Sequence, residues 1–597
     1  MASELENLAT WSQPELPPAT SDDVASALAL VTSFQAGTWR TYARTAWRVH
    51  PAIGFHLASR FHSPAALVAE LEHLTATRAD SPALHECIDA IPYLLTPANV
   101  ATTDDPVAGG VVGEGAVGPL RYLAYWKPVP PVKAITLFQP VYNNHPMVLQ
   151  YAMRSLLAFP IEAVFFFVPQ IVQALRHDPL GYVEEFILRT ANTSPVFAHQ
   201  IIWNMKANMF RDEAGNEPDS LQPKFDEITN KIIQSFSPED ELFYEREFDF
   251  FNKVTSISGK LKPFIKKSKP EKKKKIDEEL ALIRVEVGCY LPSNPESTVL
   301  DIDYASGRPL QSHAKAPFLA TFKIERTSPV APHRKEQVWQ SAIFKVGDDC
   351  RQDLLALQLI AVFKSVFAAA HLDLYLFPYC VVATAPGCGV IEVIPHANSR
   401  DMIGREKVNS LQDYFYAKYG APHTDAYRDA QRNFITSMAG YSVILYLLQI
   451  KDRHNGNIMI DDWGHLIHID FGFLLDISPG GINFESAPFK LTTEMLQVIG
   501  TVGTETFRDF ARAVVRAFLA IRPYAEQIVS LIQLMSESGL PCFKGESSLK
   551  KLRARFVLEK TERDAARFMM DRIAESYENR RTVLYDEFQR QTNGIPY

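Results

Sequence analysis

Cysteine is scarce in this chain, and none of it falls in metal-ligand spacing: Cys87, Cys289, Cys350, Cys380, Cys388 and Cys542 are scattered. Neither a zinc site nor a disulfide framework is indicated, and reduced thiols of an intracellular protein are expected. Excess positive charge is also lacking. The formal net charge is −8, which excludes a general nucleic-acid binder, whose footprint is basic. No apolar run reaches the roughly 20 unbroken residues of a spanning helix. Residues 155–175 are interrupted by Pro160, Glu162 and Pro169, and residues 434–450 carry Thr436, Ser437, Ser442 and Gln449. Both read as buried helices of a soluble or peripheral chain. The acidic, polar start shows no secretory pattern. No GxxxxGK[ST] is present and no GxGxxG opens the strand-rich part, so phosphate contact there must come from other residues.

What is present is a chain of 597 residues, 47% apolar and 22% charged, with the length and composition of several globular domains. Its most informative stretch is residues 451–473, KDRHNGNIMIDDWGHLIHIDFGF. Two short apolar runs, 457–460 and 466–469, bracket Asp461, Asp462, Trp463 and Gly464, the pattern of a β-hairpin. Such a hairpin fixes Asp452, His454 and Asn457 at its entry and Asp470 at its exit. An amide oxygen and a carboxylate together are hard ligands suited to Mg²⁺ or Mn²⁺ between phosphate oxygens. Either Asp452 or His454 is placed to orient an attacking hydroxyl or to take its proton. The set points to the catalytic centre of a phosphotransferase.

A second element is Ala342-Ile343-Phe344-Lys345-Val346, an apolar strand with one lysine, followed by GDDCRQD. A buried ammonium needs an anionic partner. ATP phosphate oxygens and a carboxylate on the following helix, Asp353, would supply it. Before it, QSHAK at 311–315 is a polar turn whose Ser312 hydroxyl and Lys315 ammonium suit phosphate. Between the lobes, residues 383–401 have a Gly/Pro-rich and then apolar character, and backbone groups of Glu392, Val393 and Ile394 would face an adenine.

The organisation expected is α+β. Residues 1–125 form a helical segment ending in a loop, with helical spacing at 24–34 and 64–74 and loop composition at 96–118. Residues 126–252 form a helical accessory domain, either a repeat layer or a plain bundle. Residues 253–275, nearly all of whose charge is lysine, read as a linker able to meet an anionic leaflet. Residues 276–391 form a β-rich lobe, with strands at 284–291, 298–303, 318–324, 341–346 and 379–384 and a helix at 351–370. Residues 392–597 form a mainly helical lobe ending in an amphipathic helix over 561–592, which either packs on its own domain or lies on a bilayer.

The order Asp452-Arg453-His454 inverts the His-Arg-Asp of common protein kinases. It resembles the phosphatidylinositol 3- and 4-kinases and their large protein-kinase relatives. The string IFKVGDDCRQD resembles the lipid kinases, and the segments at 126–156 and 383–401 are similar to the type III alpha phosphatidylinositol 4-kinases of fungal-like type. In that family Ser312, Lys315 and Pro317 align with the phosphate-binding loop, and Lys345 takes the ATP-lysine role. The resemblance implies a two-lobed catalytic domain behind a PIK-type accessory domain, ATP with Mg²⁺ or Mn²⁺, and phosphatidylinositol in membranes as substrate. It also implies a cytoplasmic enzyme peripheral at the plasma membrane, with scaffold and anchor subunits. The segment after Asp470 carries Phe473, Pro479, Gly480, Gly481 and Lys490 toward the acceptor. From 471 to 490 its only base is Lys490, against Asp476 and Glu485, too few cations for an already phosphorylated headgroup. Transfer to the 4-hydroxyl is implied by resemblance alone. The alternatives are a related protein kinase and an inactive membrane-binding or scaffold fragment.

Overall fold

The computed structural model of the chain describes residues 36–61, 64–101, 118–310, 316–328, 333–347, 349–406, 410–479, 485–577 and 579–595. The expected helix over 24–34, most of the loop at 96–118, and Ser312, Lys315, Gly480 and Gly481 lie outside them.

Three helices lead: α1 (Ala36–Val49), α2 (Pro51–Arg60) and α3 (Ala65–Thr77). The His50 ring caps α2 by accepting from the Ala52 N–H, and Pro51 sits in the first turn, where no N–H is needed. In α3, which covers the helix expected at 64–74, Leu67 and Leu71 stand one turn apart and are both buried.

The accessory layer contains α4 (Pro146–Leu157), α5 (Val168–Ala174), α6 (Tyr182–Ala191), α7 (Pro195–Ala207), α8 (Gln222–Gln234) and α9 (Pro238–Leu261). Serine caps followed by proline start α7 and α9. The apolar stretch 155–175 is divided among the end of α4, a short helix at Ile161–Phe165 and α5, with the break at Pro160.

The span 253–275 is not a linker. α9 runs unbroken through it to Leu261, and α10 (Lys269–Leu280) follows. Two local causes make the lysine run helical. Ser268 and Glu271 form a reciprocal capping box. The lysines also meet acids one turn on, Lys273 with Asp277 at 2.7 Å and Lys275 with Glu279 at 2.6 Å, while Lys260 of α9 adds a contact to Glu279 at 2.6 Å. Ile276 and Leu280 are fully buried on the face of α10 that packs on the first strand of the sheet.

That sheet is β1 (Thr298–Pro309), β2 (Phe318–Thr327), β3 (Lys335–Val346), β4 (Val381–Ala385) and β5 (Cys388–Glu392), in the order β1-β2-β3-β5-β4 with every pairing antiparallel. Alternate residues Phe318, Ala320, Phe322 and Ile324 are fully buried, the period-two pattern of a half-covered sheet. The strand expected at 284–291 does not form. Among the described residues of that segment there is one isolated bridge, Leu291 with Asn294, because Tyr290 is drawn into the accessory layer. Its N–H donates to Glu247 Oε2 at 2.9 Å and its ring stacks on His199. β5, in contrast, occupies residues expected only as a connecting hinge.

Helix α11 (Arg351–Ala369) lies between β3 and β4. By length and composition it is the one helix among the described residues that could cross a membrane. Most of that window is buried within the fold, as in a core helix. The second lobe holds β6 (Ala397–Ser399), α12 (Asp425–Leu448), β7 (Ile458–Asp461), β8 (Leu466–His468), α13 (Glu505–Ile521), α14 (Glu562–Ser576) and α15 (Arg580–Asn593). Residues 434–448 of the stretch 434–450 are the buried half of α12, which Gln449 ends in left-handed backbone. The single terminal helix expected at 561–592 is two helices. Ala565, Met569 and Ile573 of α14 are buried, whereas Val583, Leu584 and Phe588 of α15 are exposed and its Tyr585, Asp586 and Gln589 face inward.

Candidate active site

The expected hairpin is β7 and β8, with Ile458 opposite His468 and Ile460 opposite Leu466. Asp461 shapes its turn: Oδ1 accepts from the N–H groups of Trp463 and His465 at 2.9 and 2.8 Å. Gly464 follows with φ 93°, where an added Cβ would stand 2.8 Å from the Ala430 carbonyl oxygen. β6 pairs with β7 on the other side and makes a third strand the sequence did not announce.

At the open end, the Ile469 N–H donates to the Asn457 carbonyl at 3.1 Å, which brings Asn457, just before β7, beside the residues that follow β8 and lead into Asp470. The Asn457 Nδ2 donates to the Asp452 carbonyl at 2.9 Å. That bond commits the nitrogen inward and leaves the amide oxygen as a ligand beside the Asp470 carboxylate, a donor pair that suits a hard divalent ion. Asp452 and Asp470 both adopt left-handed backbone, φ 64° and 59°. Such conformations persist only where surrounding contacts impose them.

Those contacts are numerous. Arg453 is buried and donates to the carbonyls of Lys451 at 2.9 Å, Ile469 at 2.7 Å and Asp470. It ties the loop to the exit strand, and burial holds its guanidinium below the usual arginine range against the pull of Asp470 and Asp452. Glu485 accepts from the N–H groups of Asp452 at 2.8 Å and Arg453 at 3.3 Å. The Lys451 ammonium donates to the Glu485 carbonyl at 2.9 Å.

Lys490 corrects the sequence reading. It is 5% exposed and does not face an acceptor. Its ammonium donates to the Arg453 carbonyl at 2.9 Å and to Asp586 Oδ1 of α15 at 2.6 Å. A buried ammonium requires an anion, and the terminal helix supplies it. From the same helix the Tyr585 hydroxyl donates to Asp452 Oδ1, and the Gln589 amide donates to that hydroxyl at 2.8 Å. Asp476 is likewise turned aside, toward the Ser548 hydroxyl and Lys551. Phe473 and Pro479 are half-buried, and the Phe473 carbonyl accepts from the Lys451 N–H at 2.9 Å.

His454 is half-buried, with Nδ1 accepting from the Gly456 N–H at 3.0 Å and Nε2 3.9 Å from Asp452 Oδ2. Burial keeps its imidazole below the ordinary histidine range, partly offset by Asp452. A neutral ring that accepts at Nδ1 carries its proton on Nε2.

On the other side of the cleft Lys345 lies on β3 opposite Gly389 of β5. A Cβ at Gly389 would stand 2.7 Å from the Cys350 sulfur, so glycine permits the helix start to approach the sheet. Asp353, buried on α11, accepts from the Phe471 N–H at 2.7 Å. Burial pushes its carboxyl up, while Lys345 pulls it down and Asp470 raises it further, which places all three charges in one electrostatic neighbourhood. The Asp470 N–H donates to the Tyr379 hydroxyl at 3.3 Å. The N–H groups of Glu392 and Val393 are engaged by the carbonyls of Cys380 at 2.8 Å and Ser341 at 3.2 Å. An adenine would therefore meet the Ile394 N–H and the carbonyls of this segment.

Sequence reasoning missed Glu485, Tyr585, Asp586, Gln589 and Tyr379 as parts of this centre. Only Glu485 had been weighed, and as a charge against the acceptor.

Residues 339–545 match the family Phosphatidylinositol 3- and 4-kinase, and residues 116–244 match the Phosphoinositide 3-kinase family, accessory domain (PIK domain). Phosphatidylinositol 4-kinase alpha 2 of Arabidopsis thaliana is 41% identical over 422 residues, which are 69% of this chain and 78% of that protein. The chain belongs to the phosphatidylinositol 4-kinase family. Fungal members are more similar. Phosphatidylinositol 4-kinase stt4 of Schizosaccharomyces pombe is 56% identical over 497 residues, 80% of this chain and 26% of that protein. The Saccharomyces cerevisiae phosphatidylinositol 4-kinase STT4 is 55% identical over 482 residues, 80% of this chain and 25% of that protein. The chain thus spans about a quarter of these fungal relatives, and their pattern is that of the type III alpha members. Membership implies use of ATP with a divalent metal ion.

Proposed function

We propose that this chain transfers the γ-phosphoryl group of ATP to the 4-hydroxyl of phosphatidylinositol, giving phosphatidylinositol 4-phosphate. The observation that carries this reading is the convergence of Asn457, Asp470, Asp452 and His454 at one hairpin end, facing Lys345 and Asp353 across the cleft. The choice of the 4-hydroxyl rests on the names of the similar proteins.

Asn457 and Asp470 would hold Mg²⁺ or Mn²⁺, which when bound neutralises charge on the phosphate oxygens during in-line transfer. Lys345 steadies the phosphates and Asp353 orients it; Ser312 and Lys315, outside the described residues, share that role by family resemblance. His454, with its proton on Nε2, donates to the acceptor side, and Asp452 Oδ2 takes the hydroxyl proton. Oδ1 is already committed to Tyr585. The withdrawal of Lys490 into its pair with Asp586 leaves residues 471–490 without a cation for further headgroup phosphates, which supports unphosphorylated phosphatidylinositol as substrate. The reading extends to a cytoplasmic chain peripheral at the plasma membrane, joined there by scaffold and anchor subunits.

The test is incubation with labelled ATP, Mg²⁺ and phosphatidylinositol liposomes, beside Asp470→Asn. The parent should yield phosphatidylinositol 4-phosphate and the variant at least about 10³-fold less. A 3-phosphate product would retain the mechanism and overturn the regiochemistry. Labelled protein without labelled lipid would favour the protein-kinase alternative.

A further inference from the structure

A cavity of about 320 Å³ lies between the accessory helices and the β4 and α11 side of the first lobe. This lies within the size range of small-molecule sites. Its accessory wall includes Phe165 and Phe166, and its catalytic wall Leu357, Ala361 and Val382. Pro292 and Ser293 close one end of it.

Charge narrows the ligand class. No lysine, arginine or histidine lines the cavity, whereas the exposed Glu162 and Glu296 do. Nucleotides, inositol phosphates and free fatty acids would find no cation here and would meet two carboxylates. We propose that this cavity is a regulatory site for an apolar aromatic amine, its rings among Phe166, Leu357 and Val382 and its ammonium at Glu162 and Glu296.

Two structural links make the site regulatory. Leu357 stands one turn along α11 from Asp353, which accepts the Phe471 N–H. Tyr379 lines the cavity and its hydroxyl accepts from the Asp470 N–H at 3.3 Å. The neighbouring Gln358 side chain makes a reciprocal amide pair with Gln170 of α5, at 2.6 and 2.8 Å, so α11 is braced against the accessory layer at the cavity edge. A ligand seated there leans on the helix that positions Asp353 and on the ring that touches Asp470.

The probe is 4-phenylphenethylamine, with 4-biphenylacetate as the matched anion, titrated calorimetrically into the full chain with saturating ATP analogue present or absent. The amine should bind the parent with and without the nucleotide analogue, and the anion should not bind. Binding should weaken at least tenfold in Ala361→Phe, which fills the cavity, and severalfold in Glu162→Gln/Glu296→Gln. Saturating amine should change ATP turnover at least twofold in the parent and leave Ala361→Phe unaffected. If Ala361→Phe fails to retain the parent's nucleotide affinity, Val382→Phe fills the same space from the strand side. Equal binding of amine and anion, displacement of the amine by nucleotide, undiminished binding in the filled variant, or no binding at all would each overturn the site. Binding without a change in turnover would overturn its regulatory role. The binding arms do not depend on which hydroxyl or lipid the enzyme uses.

Discussion

In the second-lobe half of the cleft, the loop bearing Asp452, His454 and Asn457 is gripped by three segments remote in sequence. Arg453 binds the exit strand, Glu485 binds two loop N–H groups, and Lys490 with Asp586 joins the loop to α15. In the first-lobe half, Lys345 sits on a strand and Asp353 on α11, and α11 is itself braced by the Gln170–Gln358 pair to the accessory layer. One half is a closed, buried network, whereas the other is steered from outside the catalytic domain. Damage to the first should therefore appear as lost stability and turnover together, and damage to the second as altered nucleotide handling.

The strongest way to break this contrast is at the Lys490–Asp586 pair, whose side chains are 4% and 9% exposed. Lys490→Ala or Asp586→Ala alone should cost about 3–5 kcal/mol by stranding a buried charge, as measured by urea unfolding. Lys490→Met/Asp586→Leu should recover most of that stability, and its shortfall in turnover isolates the loop-positioning role.

Glu247 sharpens the accessory side. Burial pushes its carboxyl up to about 8, against the N–H of Tyr290 that pulls it down. An unfolded chain ionises this group near 4.5, so between about pH 4.5 and 8 the native state holds the extra proton and stability falls as pH rises. The slope approaches about 1.4 kcal/mol per pH unit. Glu247→Gln should flatten it in unfolding curves taken across that window, with little change in the chemical step.

Gln358→Ala should cost about 1–3 kcal/mol by leaving the buried Gln170 amide unpaired, and should raise KM for ATP more than it lowers kcat. Equal losses in both parameters would contradict the contrast. Tyr585→Phe should cost about 1 kcal/mol and lower kcat with ATP affinity unchanged, seen by comparing turnover with nucleotide titration.

The readable parts of this architecture were local in sequence. The hairpin was visible because apolar runs flank Asp461 and Gly464, and α11 because an apolar run follows Asp353. Charges satisfied by distant partners were not readable. Lys490 finds Asp586 96 residues on, and Asp452 finds Tyr585 133 residues on, contacts that no local period encodes. One miss had a signal in the sequence and one did not. Ser268 and Glu271 stand in capping-box spacing ahead of lysines paired with acids one turn away, which describes a helix rather than a tether. Tyr290 lies in an alternating pattern that resembles a strand, but Glu247 accepts its backbone N–H, its ring stacks on His199, and its hydroxyl lies 3.1 Å from His199 Nδ1, which hold it in the accessory layer.

Helix α9 has a consequence for how the protein is made. Its Phe250 and Phe251 rings lie against Phe322 of β2 and Phe344 of β3, and the whole helix leaves the ribosome before either strand. The side chains that floor the first-lobe sheet are thus synthesised before the strands they cover. A fragment cut at residue 276 would release those strands without that floor, so a boundary for expressing the catalytic lobes belongs ahead of Pro238.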